Sequence, residues 1–561
     1  MLSIAIELVK TRYRLPAAAL GEQPRVQRIV DDALSRVLEG AIERKGVGPD
    51  GYVCIRDVHA VATLRLREPD SALATGVGDA IAGAIQRLID EGSPSVVQYR
   101  TRAHALVDLA LSATAGDFSR SWAWAQVGIW RADFPLRGDL TAELIVRTLA
   151  KEPAHAVAVL AYLARERADR FDDLITRATP NAWHALAQAA ARAAGGVVLR
   201  PSRVTGTAGD VMTDVLQDPD WRQRRLSIAE SIARRVAARS AIARLSIERF
   251  AGAPEDIRSA LATLALLELE PSAVGTGNVE PLLLMIERAM GLAVTDTVSR
   301  VDAQCRETPT AVAQTETSRT EAPRPEGAAP VVDTAEPGPI DARDPRQAAH
   351  DAGRDASSGG DLRAAAEPAA QTGAATRSTG ERAADTVPDV RVLARTGHGG
   401  VLYLVNLLPR VGLVETLSSD EQWSGRGLRW VLHQLSVALA AMEPDDPAAL
   451  VFAGLAPDAT PPSSLQDPPT DVERAALDIL SETITRALRE TLGDLSDLDA
   501  RSDRQLLDAV CRRPAQIAAE PGWIEARFSP EDVSLDIRRA GLDRNPEWVP
   551  WLGIVLRFVY A

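Results

Sequence analysis

Gly399–Leu417 reads GGVLYLVNLLPRVGLVETL, a nearly continuous apolar run broken by Asn406, Pro409, Arg410 and Glu415. It follows a tract, residues 301–390, that contains no Phe, Trp or Tyr and is rich in Ala, Pro, Gly, Thr, Asp, Glu and Arg. A tract of that composition cannot bury enough apolar surface to offset its ordering entropy, so the sequence predicts disorder there. Fully extended, its length would reach roughly 300 Å. The abrupt return of apolar residues predicts that a packed domain begins at 399. Val401, Leu402, Leu404, Leu407 and Leu408 are expected to form a helix covered by later strands. The chain thus divides into a first body, a tether and a second body.

Composition narrows the class. At 561 residues the chain is too long for one core. Aromatics make up only 4% of it, so the core must be built mostly of Ala, Leu, Val and Ile, which favours close-packed helices. The formal net charge of −14 does not suit a nucleic-acid binder, whose footprint is a basic excess. Lys10, Lys45 and Lys151 are the only lysines; the remaining basic residues are arginines, as a GC-rich coding sequence also produces. Cys54, Cys305 and Cys511 lie far apart with no CxxC, which points away from a disulfide framework or a Cys-based zinc site and towards a reducing compartment. The opening MLSIAIELVKTRYRL lacks the layout of a signal peptide, and no apolar window is long enough to span a membrane. A cytoplasmic protein is expected.

Upstream of the tract, Ser3–Val9 alternates like a short strand. A helix is predicted over 23–45 from apolar residues at three-and-four spacing, then a strand over Tyr52–Arg67, a helix over 75–91 and a strand over Val96–Arg100. Residues 1–100 therefore read as a small α+β domain. From 103 to 292 the pattern is an irregular helical array, with helices at 103–113, 119–129, 139–150, 152–168, 181–195, 220–238, 239–251, 254–268 and 279–291. Pro153, Pro180, Pro219 and Pro254 sit near helix starts, where a missing N–H costs least. Past the tract, 398–561 reads as a second α+β unit. Its helices fall at 424–442, 470–491 and 502–512, and its alternating segments at 522–528, 532–538 and 552–560. The fold class expected is mainly α: two folded bodies, each with a small α+β unit, joined by a long disordered linker.

Chemistry-bearing motifs are scarce. Gly46–Gly51 fits GxGxxG but has its strand and helix in the wrong order for a dinucleotide fingerprint, and Pro49 removes a donor, so it reads as a turn. There is no P-loop and no GxSxG, and the seven histidines show neither HxH nor HExxH spacing. No catalytic, cofactor-binding or metal site is predicted, and no enzyme. Two features remain. Arg222–Arg249 carries eight arginines on two predicted helices, readable as a charged outer face or as a site for an anionic partner. Scarce aromatics cluster at Trp122, Trp124 and Trp130, and again at Trp548, Pro550 and Trp551, readable as core or as interface anchors.

Three stretches together resemble the contractile injection system tape measure protein family. They are the glycine-led run from Gly399 and Gly400 through Leu408 and Pro409 to Leu413, the alternating Trp523–Phe528 segment, and Pro546-Glu-Trp-Val-Pro-Trp551 before a terminal apolar strand. A weaker echo covers about 50–135, including Trp122–Pro135. The resemblance implies a non-enzymatic assembly component of a phage-tail-like particle. Such a protein helps set tail tube length or joins tube to baseplate, and its partners are tail tube or baseplate proteins. With 35 prolines and two bodies, the chain is not one uninterrupted helical ruler. The alternative is a cytosolic helical adaptor that binds through the Arg-rich helices and Trp clusters.

Overall fold

The computed structural model describes residues 4–6, 8–46, 51–131, 140–196, 219–250, 254–275, 279–290, 387–423, 425–493 and 501–561. The expected linker lies outside these residues except for 387–390. The described chain is mainly α, with one two-stranded and one five-stranded sheet.

The first elements are helices Gln23–Asp32 (α1) and Leu38–Arg44 (α2), separated by one π turn, and Asp70–Asp90 (α3). Ile29, Ala33, Leu38, Ala41 and Ile42 pack on Leu73, Ala74, Val77, Ala82 and Ile85. Gly78 permits the close approach, because a Cβ there would lie 3.0 Å from Val37 Cγ1. Strands Tyr52–Ile55 (β1) and Val96–Tyr99 (β2) pair antiparallel, Tyr52 opposite Tyr99. The strand expected to run on to Arg67 stops at Ile55, where the four-residue partner ends. The strand expected at Ser3–Val9 is absent from its described residues, and Ile4, Ile6 and Leu8 are exposed.

The array follows as Arg102–Thr114 (α4), Ser121–Val127 (α5), Thr141–Lys151 (α6), Pro153–Glu166 (α7), Ala168–Arg177 (α8) and Pro180–Ala193 (α9). It continues with Pro219–Arg239 (α10), Ala241–Phe250 (α11), Glu255–Leu269 (α12) and 279–290 (α13). Thr101 and Thr179 cap α4 and α9 by accepting from the His104 and Ala182 amides. One core joins these helices, largely of Ala, Leu and Val as composition requires.

Residues 387–390 belong to this first core rather than to a tether. Val390 is buried in it, His104 Nε2 donates to the Pro388 carbonyl at 2.9 Å, and Arg100 pairs with Asp389 at 2.9 Å. Two residues later the chain enters strand Val392–Thr396 (β3), an edge of the second sheet.

The second body holds helices Leu413–Ser419 (α14), Leu428–Ala440 (α15), Pro447–Phe452 (α16), Asp471–Leu492 (α17) and Asp503–Cys511 (α18). Strands Ala515–Glu520 (β4) and Trp523–Phe528 (β5) follow, then a short helix Leu535–Arg539 (α19) and strands Glu547–Val549 (β6) and Ile554–Tyr560 (β7). Sheet order is β3-β4-β5-β7-β6, with only the β5–β7 pair parallel. The expected strand at 532–538 is a 3-10 turn followed by α19: one helical turn buries Ile537 while Leu535 stays exposed.

Gly399–Asn406 is a 3-10 helix under this sheet. Two glycines let it in, since a Cβ on Gly399 would lie 2.4 Å from Ala515 Cβ and one on Gly400 would lie 2.0 Å from the Val510 carbonyl oxygen. Tyr403 then packs its ring 5.1 Å from both Phe528 and Phe558, and its hydroxyl lies 3.0 Å from that of Tyr560. The opening run is thus a buried nucleus bracketed by β5, β7 and α18.

Candidate functional site

The first tryptophan cluster sits in the core. Helix α5 buries Trp124 completely, and Gly128, at φ 78°, turns the chain so that Trp130 stacks edge-on against Trp124 with centroids 6.1 Å apart. Trp122 is half-buried against the same core. Trp124 Nε1 donates to Asp108 Oδ2 at 2.8 Å, and the Tyr99 hydroxyl donates to the same oxygen at 2.7 Å. Arg120 donates to both Asp108 oxygens, at 2.7 and 3.1 Å, and to Ser112 Oγ. Burial opposes the Arg120 charge, yet the Asp108 carboxylate outweighs it and holds the guanidinium above its ordinary pKa. Burial, reinforced by Asp108, pushes the Tyr99 hydroxyl well above the usual phenol range. These bonds to Asp108 fix α4 against α5 and β2, so the cluster serves packing.

The second cluster lies elsewhere. Pro546 leads into Glu547, a non-glycine residue at φ 57°, which turns Trp548 outward from the short edge strand β6. Trp548 Nε1 donates at 2.8 Å to the carbonyl of Ala193, the last residue of α9. Trp523, at the start of β5, lies 6.2 Å from the His155 ring of α7, with the Arg557 guanidinium 5.5 Å from its indole. A Cβ on Gly522 would lie 2.8 Å from Ala158 Cβ, which makes this another close approach. Trp551 packs on the second core and Pro550 is half-buried. Leu408 is buried in that core, whereas Pro409 is exposed. The structure therefore brings Trp523 and Trp548 to a seam between the helical array and the second body. Gly400 and Leu408 remain inside the second body.

Polar groups that sequence reasoning missed organise this seam. Glu268 accepts from Ser240 Oγ at 2.6 Å and from the Ala241 and Ile242 amides, capping α11, while Arg165 approaches at 3.3 Å. Glu270 pairs with Arg235 at 3.0 Å and reaches the Leu428 amide at 3.5 Å, at the first residue of α15 in the other body. Gly427 makes room for it, because a Cβ there would lie 2.4 Å from Glu270 Oε1. Burial lowers the pKa of Arg429, and the Glu270 and Glu268 carboxylates act against that fall. Further along, Thr101 donates to Glu520 of β4, and Arg391 lies between Glu520 and Glu525 at 3.9 and 3.6 Å. One signal was available in the sequence. Two glutamates close an apolar helix at 268 and 270, where the helix dipole disfavours carboxylates and a cationic or amide partner is needed.

Catalytic chemistry finds little to work with among the described residues. No group of three His, Cys, Asp or Glu side chains is placed to hold a metal there. His398 Nδ1 lies 3.2 Å from Asp446 Oδ2, but the same carboxylate accepts from Thr396 at 2.7 Å and from the Ala448 amide at 2.8 Å. Those bonds cap α16 and tie it to β3. Burial lowers His155 and His433 below the ordinary imidazole range, so both are neutral near pH 7. Burial also raises the Cys54 and Cys511 thiols, to about 11 and about 12, which leaves them protonated. Among the described residues no helix is long and apolar enough to cross a membrane. No family model, curated protein or solved structure matches the chain.

Proposed function

We propose that the protein is a non-enzymatic, cytoplasmic assembly component of a contractile injection particle, engaging tail tube or baseplate proteins rather than nucleic acid. The observation that carries this reading is the convergence of the three stretches behind the family resemblance. The run from Gly399 packs beneath the β5 strand that begins at Trp523, and Pro546–Trp551 feeds the strand β7 paired with β5. Residues far apart in sequence thus form one structural unit, as expected of a shared domain rather than of scattered coincidences.

Two geometric features bear on the form of assembly. The longest helices described run to 22 residues, about 33 Å, which is short for a rigid ruler. Contacts across the seam also mean that residues 291–386 leave and rejoin one packed unit. Both features favour an adaptor or initiator of tube assembly. The test is to delete residues 320–380 in a strain producing the particle and measure tube length and yield by electron microscopy. Normal length with reduced yield on deleting the whole gene fits an initiator. Normal length and normal yield without the gene would exclude any assembly role. A proportional change of length on the internal deletion would instead make the chain a ruler.

A further inference from the structure

Along the same seam, α10 and the loops before α15 and α17 enclose an open cleft of about 680 Å³. Among the described residues Arg234, Arg235, Arg239 and Arg426 line it, with Gln466 and a single carboxylate, Asp467. Two of these arginines are already committed. Arg235 holds Glu270, and Arg426 grips Glu473 with two bonds of 2.7 and 2.8 Å and donates to the Asp467 and Pro468 carbonyls. The other two are not. Among the described residues Arg234 donates only to the Glu230 carbonyl, at 3.4 Å, and Arg239 only to the Leu465 carbonyl, at 3.0 Å. Both are exposed, and neither has a carboxylate partner among the described residues. Partial burial lowers the Arg239 pKa and the neighbouring Arg235 charge adds to that, so the cleft concentrates positive charge that its own walls do not neutralise.

The geometry points to this cleft as a docking site for an acidic peptide segment of a partner protein. Three features select that ligand. Guanidinium forks bind carboxylates in a directed, bidentate manner. Arg234 and Arg239 both line the cleft but stand five residues apart on α10, about 7.5 Å in rise and about 140° round the helix, so their long side chains approach it from different sides. A segment that carries several acidic residues, rather than a single small anion, therefore meets both. The wall also offers the Asp467 carboxylate and the Gln466 amide, which suit the N–H and C=O groups of a peptide; a bare phosphate would be repelled by the former. Among the described residues no aromatic side chain lines the cleft to stack a nucleobase. The assignment stands whether or not the protein serves an injection particle.

Fluorescence anisotropy on the full chain tests it, with a fluorescein-labelled octapeptide of alternating glutamate and alanine as the probe. The double variant Arg234→Ser/Arg239→Ser should weaken binding at least about tenfold at physiological salt. A control with the same charge change on other exposed arginines, Arg12→Ser/Arg28→Ser, should bind as the parent does. A matched thermal midpoint for all three proteins confirms that the fold is kept. Equal binding by the cleft variant and the parent would overturn the assignment. So would equal losses in both double variants, or displacement of the probe by pyrophosphate or oligo-dT at lower concentration than by unlabelled peptide.

Discussion

Trp122–Trp130 and Pro546–Trp551 look alike in sequence, as two aromatic clusters in a chain poor in aromatics, yet they do different work. The first is sealed around Asp108 within the helical array. The second extends a strand edge so that Trp548 can reach the end of α9. One cluster stabilises a core; the other joins two cores. The difference is the indole's partner: a buried carboxylate beside it in the fold, or a backbone carbonyl on the other body.

Substitutions should separate the two roles. The largest effect is expected from Trp124→Ala, which empties a fully buried site and strips Asp108 of a donor, for a loss of about 3–5 kcal/mol. Urea unfolding followed by circular dichroism reads it, and a loss under about 1 kcal/mol would remove Trp124 from the core. Glu270→Ala comes next. It removes the carboxylate that pairs with Arg235, whose side chain is only 10% exposed, and the acceptor of the Leu428 amide, for about 2 kcal/mol. Because the lost contacts cross the seam, calorimetry should resolve two transitions where the parent shows one; a single shifted transition would mean that Glu270 supports only the array. Trp548→Phe keeps a six-membered aromatic ring but removes the pyrrole half of the indole and with it the bond to Ala193, the bond being worth about 1 kcal/mol. Hydrogen exchange should show the loss as faster opening of β6 and the end of α9, with α5 unchanged.

A further prediction is a pH dependence away from both clusters. The Arg426 guanidinium, with help from the Thr470 amide, holds Glu473 at about 2 against partial burial. A depressed carboxylate pKa stabilises the fold above the unfolded value near 4.5, and that stabilisation is lost as pH falls from about 5 to 2. Arg426→Gln should flatten the acid limb of stability over that window; an unchanged limb would assign the acid sensitivity to other carboxylates.

Helices were legible wherever apolar spacing and proline punctuation coincided, as at Pro153, Pro180 and Pro254. Helix α8 was not, because the break at Arg167 carries neither Gly nor Pro and the segment is short and polar. Strand β4, AQIAAE, is buried along most of its length and is half alanine, so it shows neither alternation nor β-branched residues. Strand β3 is masked by the composition of the tract before it. The burial of Gly399–Leu408 could be read from its residues, whereas its 3-10 form and glycine contacts with α18 and β4 depend on chain more than a hundred residues away. The seam was the least legible feature, since Glu270 and Leu428 lie 158 residues apart and no local pattern pairs them.

Whether the two bodies hold together without the chain between them can be measured directly. A specific protease site placed within residues 320–380 allows that segment to be cut in the folded protein, followed by size-exclusion chromatography under native conditions. The seam of Glu270, Trp548 and Glu520 predicts that the two halves co-elute as one species and separate only in denaturant. Two peaks in native buffer would contradict it and return the molecule to two bodies on a tether.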